Sequence, residues 1–199
     1  MRIEIRSDSV VIDGYVNAVE RMSKPVITPH GKVVEVIEQR AFERALERAD
    51  NVDLLLNHDK ERKLGSTTQG NLELWEDNIG LRAVCTVTDA DVIEKAKNGK
   101  LKGWSFGMYT NEDKIEERAE GLPIRRIKEL DIFEVSIIDN RLSPCYTATS
   151  IETRADGEKV AEQRAYENKI VVKNMVETPK ETIDYSEYVN RIAKLKVGK

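Results

Sequence analysis

The sequence is poor in cysteine and histidine, and both shortages narrow what the protein can be. Only two cysteines, Cys85 and Cys145, occur in 199 residues, and they stand far apart. This is too few for a disulfide framework, so we expect two free thiols in a reducing compartment, with Cys85 packed in the core. The two histidines, His30 and His58, show no metal-ligand spacing with these cysteines, and the expectation is therefore no metal and no other cofactor.

Long apolar runs and an excess of positive charge are also missing. No apolar run approaches the roughly 20 residues that span a bilayer. Residues 1–6 alternate charged and apolar side chains, unlike a signal peptide. The net charge of -4 and the pI of about 5.5 argue against a nucleic-acid partner held by a general basic field. We therefore expect a cytoplasmic protein with neither membrane nor nucleic acid as a partner.

Short strand-like segments predominate up to about residue 150. Helical spacing of apolar residues is confined to two stretches, 38–49 and 89–97, whereas residues 22–32 and 111–121 have the composition of loops. Because strands outnumber helices, the sequence predicts an α+β fold, a closed or nearly closed and mostly antiparallel β barrel with surrounding helices. The predicted strands are residues 10–19, 52–56, 71–75, 81–87, 104–109 and 124–138.

The composition changes beyond about residue 150. Residues 151–169 are rich in Glu, Lys, Arg and Ala and have few large apolar side chains, so they are expected to bury little core. Residues 183–195 have the apolar spacing of a short terminal helix. We predict a domain over residues 1–150 and a polar C-terminal appendage over residues 151–199, which would be a docking segment or a removable tail.

Residues 103–107 read Gly-Trp-Ser-Phe-Gly and match the pattern G-x-S-x-G. Small neighbours allow a serine to sit on a tight backbone path with its hydroxyl exposed and nearby N–H groups free to bind an oxyanion. A serine between two glycines is also common at a simple bend in a strand. Ser105 is thus a candidate nucleophile that needs a second group to support it.

His58 ends the apolar run 52–56 within Asn-His-Asp, a place that suits a general base at the rim of a sheet. The alternative is a surface histidine in a polar turn. His30 lies in a Pro/Gly loop and is held less firmly. No histidine follows Ser105, which excludes the Ser–acid–His order of an α/β-hydrolase and leaves a His–Ser order on another scaffold.

Glu134 is an acid inside the apolar strand 132–138, where a lone carboxylate requires a partner. That partner is either His58, which Glu134 would orient, or one of two arginines, Arg125 and Arg126, in an ordinary salt bridge. The oxyanion would be held by backbone N–H groups near Ser105 or in the region of these arginines. The other candidates for orienting His58 are Asp59, Asp131 and His30.

His58, Ser105 and Glu134 lie within three of seven blocks of the sequence, residues 14–16, 40–42, 54–59, 64–65, 80–81, 103–107 and 133–138. Together these blocks resemble the prohead protease family of tailed phages. The resemblance covers about residues 9–150 and implies a serine protease related in fold to the herpesvirus assemblins, with His58 as catalytic histidine and Ser105 as nucleophile. Glu134 matches an acidic position of the family, although assemblins use a second histidine after the serine and this chain has none there.

This resemblance implies an endopeptidase that digests the capsid precursor or scaffold inside the assembling prohead in the host cytoplasm, and that commonly cleaves itself. The appendage after residue 150 would target the protease into the shell or be removed by self-cleavage. A homo-oligomer is an open option. The rival hypotheses are a non-catalytic assembly module of the same fold and a hydrolase of small esters, which the chain order disfavours.

Overall fold

The computed structural model describes residues 1–28, 31–140, 161–167 and 170–174, with the side chains of 165–167 and 174 left aside. His30, Cys145 and the predicted helix over 183–195 lie outside the described residues. Among the described residues, twelve strands and two helices form an α+β fold. Seven of the strand pairs are antiparallel and three are parallel, so the sheets are mostly antiparallel.

One sheet has five strands in the order β12-β1-β2-β8-β7. Its centre is β2, whose partner β8 buries Leu81, Ala83, Cys85 and Val87 on one face, in agreement with the expectation that Cys85 is packed in the core. The five strands are β1 (Arg2–Ile5), β2 (Val10–Ala18), β7 (Leu72–Glu76), β8 (Gly80–Val87) and β12 (Val171–Asn174).

The second sheet has seven strands, with the order β11-β9-β10-β4-β3 and with β5 and β6 branching from β10. Two strands of 16 residues, β9 and β10, form its centre. The seven strands are β3 (Val26–Thr28), β4 (Gly31–Ile37), β5 (Asp53–Leu56), β6 (Asp59–Ser66), β9 (Leu101–Glu116), β10 (Ile124–Asp139) and β11 (Ala161–Glu167).

The length of β10 allows it to pair with both β4 and β5, the strands before and after the first helix. Residues 124–127 of β10 pair with β4, and residues 134–137 pair with β5, both in parallel. Helix α1 (Ala41–Arg48) joins these two strands and covers the interval between them, where Arg44 and Arg48 donate hydrogen bonds to the carbonyl oxygens of Lys128 and Leu130. The backbone of β10 that lacks a strand partner on this side is thereby satisfied by side chains.

Both helices begin at a cap, and this sets their lengths. Helix α1 starts at Ala41 rather than at residue 38, because Arg40 has a left-handed backbone with φ 69°. The carboxylate of Glu76 accepts hydrogen bonds from the backbone N–H groups of Arg40 and Glu43, which caps this helix end from another strand. Helix α2 (Ala90–Lys97) has Asp89 as its N-cap, with a side chain that accepts a hydrogen bond from the backbone N–H of Val92.

The core joins the two sheets through the buried side chains of β9. Trp104, Phe106 and Met108 are all fully buried, and the ring of Phe42 from α1 meets that of Phe106 edge-on at 5.3 Å between centroids. Burying aromatic rings of this size contributes on the order of 2 kcal/mol per ring to the stability of the fold. This packing holds β9 firmly at the position of Ser105.

The structure changes several predictions of local structure. Residues 22–32 contain β3 and the start of β4 instead of only a loop, and residues 111–116 continue β9 instead of forming a mobile connection. In the described residues the sheets have open ends, β12 and β7 in one and β11 and β3 in the other, and no closed barrel is formed. The barrel therefore stays a prediction, whereas the α+β class is confirmed.

The segment after residue 150 contributes strands to both sheets. β11 pairs with β9, and β12 pairs in parallel with β1, although the composition predicted a polar appendage. Its charged side chains can enter the fold because they are paired with one another and with the body of the protein, as described below. The division into a domain and a tail at residue 150 stays a prediction.

Candidate active site

Ser105 lies in the middle of β9, with β10 on one side and β11 on the other. It stands opposite Ser136 of β10 and Ala165 of β11. The G-x-S-x-G pattern is thus part of a continuous strand and not a sharp turn between a strand and a helix. Ser105 is fully buried, which corrects the expectation of an exposed hydroxyl.

His58 belongs to a two-residue hairpin loop between β5 and β6, in which Leu56 pairs with Asp59. Both loop residues have positive φ, 57° for Asn57 and 61° for His58, as the tight hairpin turns that match strand twist require. Asn57 tolerates this backbone well, and its side-chain oxygen accepts a hydrogen bond from the N–H of Asp139. The turn is thereby tied to the end of β10.

The three residues singled out by the sequence meet in one line of hydrogen bonds. Nε2 of His58 lies 2.6 Å from Oγ of Ser105, and Nδ1 lies 2.7 Å from Oε1 of Glu134. The side chains of His58 and Glu134 are only 10% and 3% exposed. A carboxylate can only accept, so Nδ1 carries a hydrogen and Nε2 of the neutral ring is left to accept the Ser105 proton.

Ser136 completes this arrangement, and the sequence analysis did not single it out. Its hydroxyl donates to Oε2 of Glu134 at 2.6 Å and accepts from the backbone N–H of His58 at 3.0 Å. Both Glu134 oxygens are therefore engaged, one by the ring and one by the serine. The signal was present in the sequence, since Ser136 follows Glu134 by two residues and shares its face of the strand.

A bulge in β10 sets the position of Glu134. The register with β9 shifts between Ile132 and Glu134, so that Phe133 is an extra residue opposite Gly107. Bulges of this kind redirect side chains next to functional sites. The ring of Phe133 packs on Tyr109 at 4.8 Å between centroids, while Glu134 remains on the side of Ser105 and His58.

The other candidates for orienting His58 have different partners. Asp59 accepts a hydrogen bond from the N–H of Glu61, and Asp131 pairs with Arg48 at 3.4 Å. The alternative salt bridges for Glu134 are not formed either, because Arg126 pairs with Glu116 and Glu20 and Arg125 belongs to a separate cluster. The placement of the oxyanion near Ser105 or in the region of these arginines stays a prediction.

A buried cluster of charged side chains joins β11 to the body of the protein. Arg125 donates to Glu35 and, with two nitrogens, to Glu162 of β11; Arg164 of β11 pairs with Glu35 and Glu162. Burial alone would lower the pKa of Arg125 and of Arg164, but their carboxylate partners raise both above the usual arginine value. Burial would raise the pKa of Glu162, yet its arginine partners lower it.

The backbone of the same strand reaches the proposed nucleophile. The carbonyl oxygen of Arg164 lies 2.7 Å from Oγ of Ser105. The hydroxyl therefore has two acceptors within reach, this oxygen and Nε2 of His58, but only one proton to donate. Arg164 was not predicted as a site residue, because its segment looked like a solvated tail.

In the described part of the chain, no group of three or more His, Cys, Asp or Glu side chains is arranged to hold a metal ion. None of the helices in that part is long and apolar enough to cross a membrane.

Comparison with protein families identifies the kind of site. Residues 1–163 match the family described as caudovirus prohead serine protease. The chain belongs to this family. The match includes β9, β10, the His58 turn and the first residues of β11, so it covers each residue of the hydrogen-bonded line. Comparisons with curated proteins and with solved structures gave no match.

Membership confirms the resemblance to a phage capsid-maturation protease that the sequence suggested. It also confirms a serine peptidase family, whose name implies a capsid protein as the substrate and the assembling phage shell as the place of action. Membership of the prohead protease family therefore gives the class of reaction. The roles of individual residues are inferred from the geometry of the site.

Proposed function

We propose that the protein is an endopeptidase that cleaves the capsid precursor or scaffold through an acyl-enzyme formed on Ser105. The observation that carries this proposal is the continuous line of hydrogen bonds from Ser105 through His58 to Glu134, with distances of 2.6 and 2.7 Å. Nucleophile, base and orienting acid in hydrogen-bond contact are the arrangement that acyl transfer requires.

In the first half of the reaction, Oγ of Ser105 attacks the carbonyl carbon of the peptide bond while its proton passes to Nε2 of His58. Glu134 holds the ring through Nδ1 and stabilises its positive charge. The proton then moves to the leaving amine, and the C–N bond breaks. In the second half, water attacks the acyl-enzyme and gives a proton to His58. His58 then returns this proton to Oγ of Ser105 as the C–O bond to Ser105 breaks and the acid is released.

The direct test is co-expression with the cognate capsid precursor, followed by mass spectrometry of the precursor. Ser105→Ala is expected to slow processing on the order of 10⁴-fold or more, because the members of such a unit act together. Ser9→Ala, at another buried serine outside this site, is the matched control and should process normally. Normal processing by Ser105→Ala would remove Ser105 from the mechanism and favour the non-catalytic assembly module.

Self-cleavage forms a second part of the proposal. The segment after residue 150 is either a targeting segment or a piece that the protease removes from itself, and the contact of Arg164 with Ser105 supports an encounter between this segment and the site. Intact masses of the wild type and of Ser105→Ala, taken from the same co-expression, test this. A shorter wild-type chain beside a full-length variant supports self-cleavage, and two full-length chains contradict it.

A further inference from the structure

β11 lies where an extended peptide would reach Ser105. It pairs antiparallel with β9 along its whole length, and it is the end strand of its sheet among the described strands. Its Arg164 carbonyl oxygen is 2.7 Å from Oγ of Ser105. An end strand is the element that an incoming extended segment can replace, because the main-chain hydrogen bonds are the same for either.

Two side chains of β11 are received by a charged pocket of the body. Arg164 forms a forked pair with Glu35, with Nε 2.5 Å from Oε2 and Nη2 2.8 Å from Oε1. Glu162 receives two nitrogens of Arg125, at 2.7 and 3.0 Å, and the hydroxyl of Thr110 at 2.8 Å. All four charged side chains are at most 6% exposed.

The pocket has a charge of its own when the two β11 side chains are set aside. The body contributes two carboxylates, Glu35 and Asp113, and one guanidinium, Arg125, to which Asp113 is directly paired. Arg125 is then the one positive partner that these two carboxylates share within the group, and Arg164 gives Glu35 a second. The pocket thus selects for a basic side chain at one position and offers Arg125 to an acidic one.

Stability alone does not account for this cluster. Buried ion pairs are often no more stabilising than apolar side chains of the same size, but they fix which residues can dock and in which register. A shift of one residue along β9 would turn both Glu162 and Arg164 to the other face of the sheet. The charges therefore specify the sequence of the segment that lies beside Ser105.

We propose that β11 occupies the substrate position, and that substrates enter as a strand antiparallel to β9 with an arginine on Glu35 and an acidic residue two positions earlier on Arg125. This proposal rests on the proposed function, and it names the class of substrate. β11 is a resting occupant, because its carbonyl oxygen rather than its carbon meets the hydroxyl and competes with His58 for the proton. A substrate must displace it.

The fork on Glu35 also separates arginine from lysine. Two guanidinium nitrogens reach the two carboxylate oxygens of Glu35, whereas an ammonium group supplies a single centre. A substrate with lysine at this position should therefore bind less tightly than one with arginine.

Peptide binding tests the proposal without any need for hydrolysis. The protein that receives the peptide, here called the receiver, is the full chain with Ser105→Ala and Arg164→Gln. The second substitution weakens the docking of β11. The probe is a fluorescent peptide with the sequence of residues 159–168. Peptides in which Arg164 or Glu162 is replaced by Gln should bind about tenfold or more weakly, and the Lys peptide should lie between. Adding Glu35→Gln to the receiver should remove the preference for arginine and keep that for the acid.

A second receiver, with Glu162→Gln in place of Arg164→Gln, covers the case in which the first variant does not fold, as judged by circular dichroism. Equal binding of all the peptides, or no binding by a folded receiver, overturns the proposal. Because the receiver lacks the Ser105 hydroxyl, this result is independent of the processing experiment, in which the proposed function itself succeeds or fails.

Discussion

Gly107 lies opposite Glu134 in the β9–β10 pair, and a β-carbon on Gly107 would come within 2.6 Å of Oε1 of Glu134. The same β-carbon would lie 2.5 Å from the ring of Phe133, the extra residue of the bulge. Both distances are shorter than a β-carbon tolerates. The second glycine of the G-x-S-x-G pattern is therefore explained here by the space that the acid needs, and not by a turn around the serine.

Gly107→Ala is expected to displace the Glu134 carboxylate and to lower the rate of precursor processing by about 10²-fold, since small misplacements of such groups have effects of this size. The measurement is the processing rate in the co-expression experiment. If the effect passes through Glu134, Gly107→Ala should add little to a chain that already carries Glu134→Gln. Additive losses in the double variant would contradict this explanation.

Glu134→Gln is expected to lower processing on the order of 10⁴-fold while leaving the fold intact. An amide can present its N–H₂ group to the imidazole, which then places the ring proton on the wrong nitrogen. Ser136→Ala is the graded comparison, because it removes only the hydroxyl that supports Glu134 and the N–H of His58. We expect about a tenfold loss there, and equal losses in the two variants would refute the division of roles.

Cys85 is expected to resist thiol reagents in the folded protein. It is fully buried on β8, and burial raises its pKa to about 12, so almost none of it is thiolate near neutral pH. Alkylation with iodoacetamide, mapped by peptide mass, should modify Cys85 in urea and leave it unmodified in buffer. Ready modification in buffer would show that β8 opens to solvent.

The three residues of the hydrogen-bonded line were predictable because each has a local signature. Ser105 is the serine of a G-x-S-x-G pattern, His58 ends an apolar run, and Glu134 interrupts one. Only the contacts of His58 with Ser105 and Glu134, which lie 47 and 76 positions away in the chain, required the structure. The helices were also predictable, since their apolar residues recur at helical spacing, with the start of α1 moved by the left-handed Arg40.

Two of the strands that the sequence did not reveal, β6 and β11, are strongly polar. β6 (Asp59–Ser66) is almost entirely polar and has no period-two pattern, because it is held by the tight turn and by β5. β11 looked like a solvated tail because its charges are neutralised by distant residues, with 129 positions between Arg164 and Glu35. Composition measures charge, and it does not show which charges will pair.

The docking of β11 should weaken in acid. Burial would raise the pKa of Glu162, but Arg125 and Arg164, with the hydroxyl of Thr110, hold it below the usual glutamate value. A lowered folded pKa gives a stabilisation that is complete above the unfolded value of about 4.3 and is lost as the pH falls through the folded one. Amide protection of residues 161–167 in hydrogen exchange, corrected for intrinsic rates, should therefore be lower in Glu162→Gln than in wild type at pH 6. The two should converge as the pH falls below the lowered folded pKa of Glu162 and this side chain becomes neutral. Glu73→Gln, at an exposed position of β7, should match wild type throughout. Equal protection at pH 6 would mean that the charge of Glu162 does not hold this strand beside Ser105.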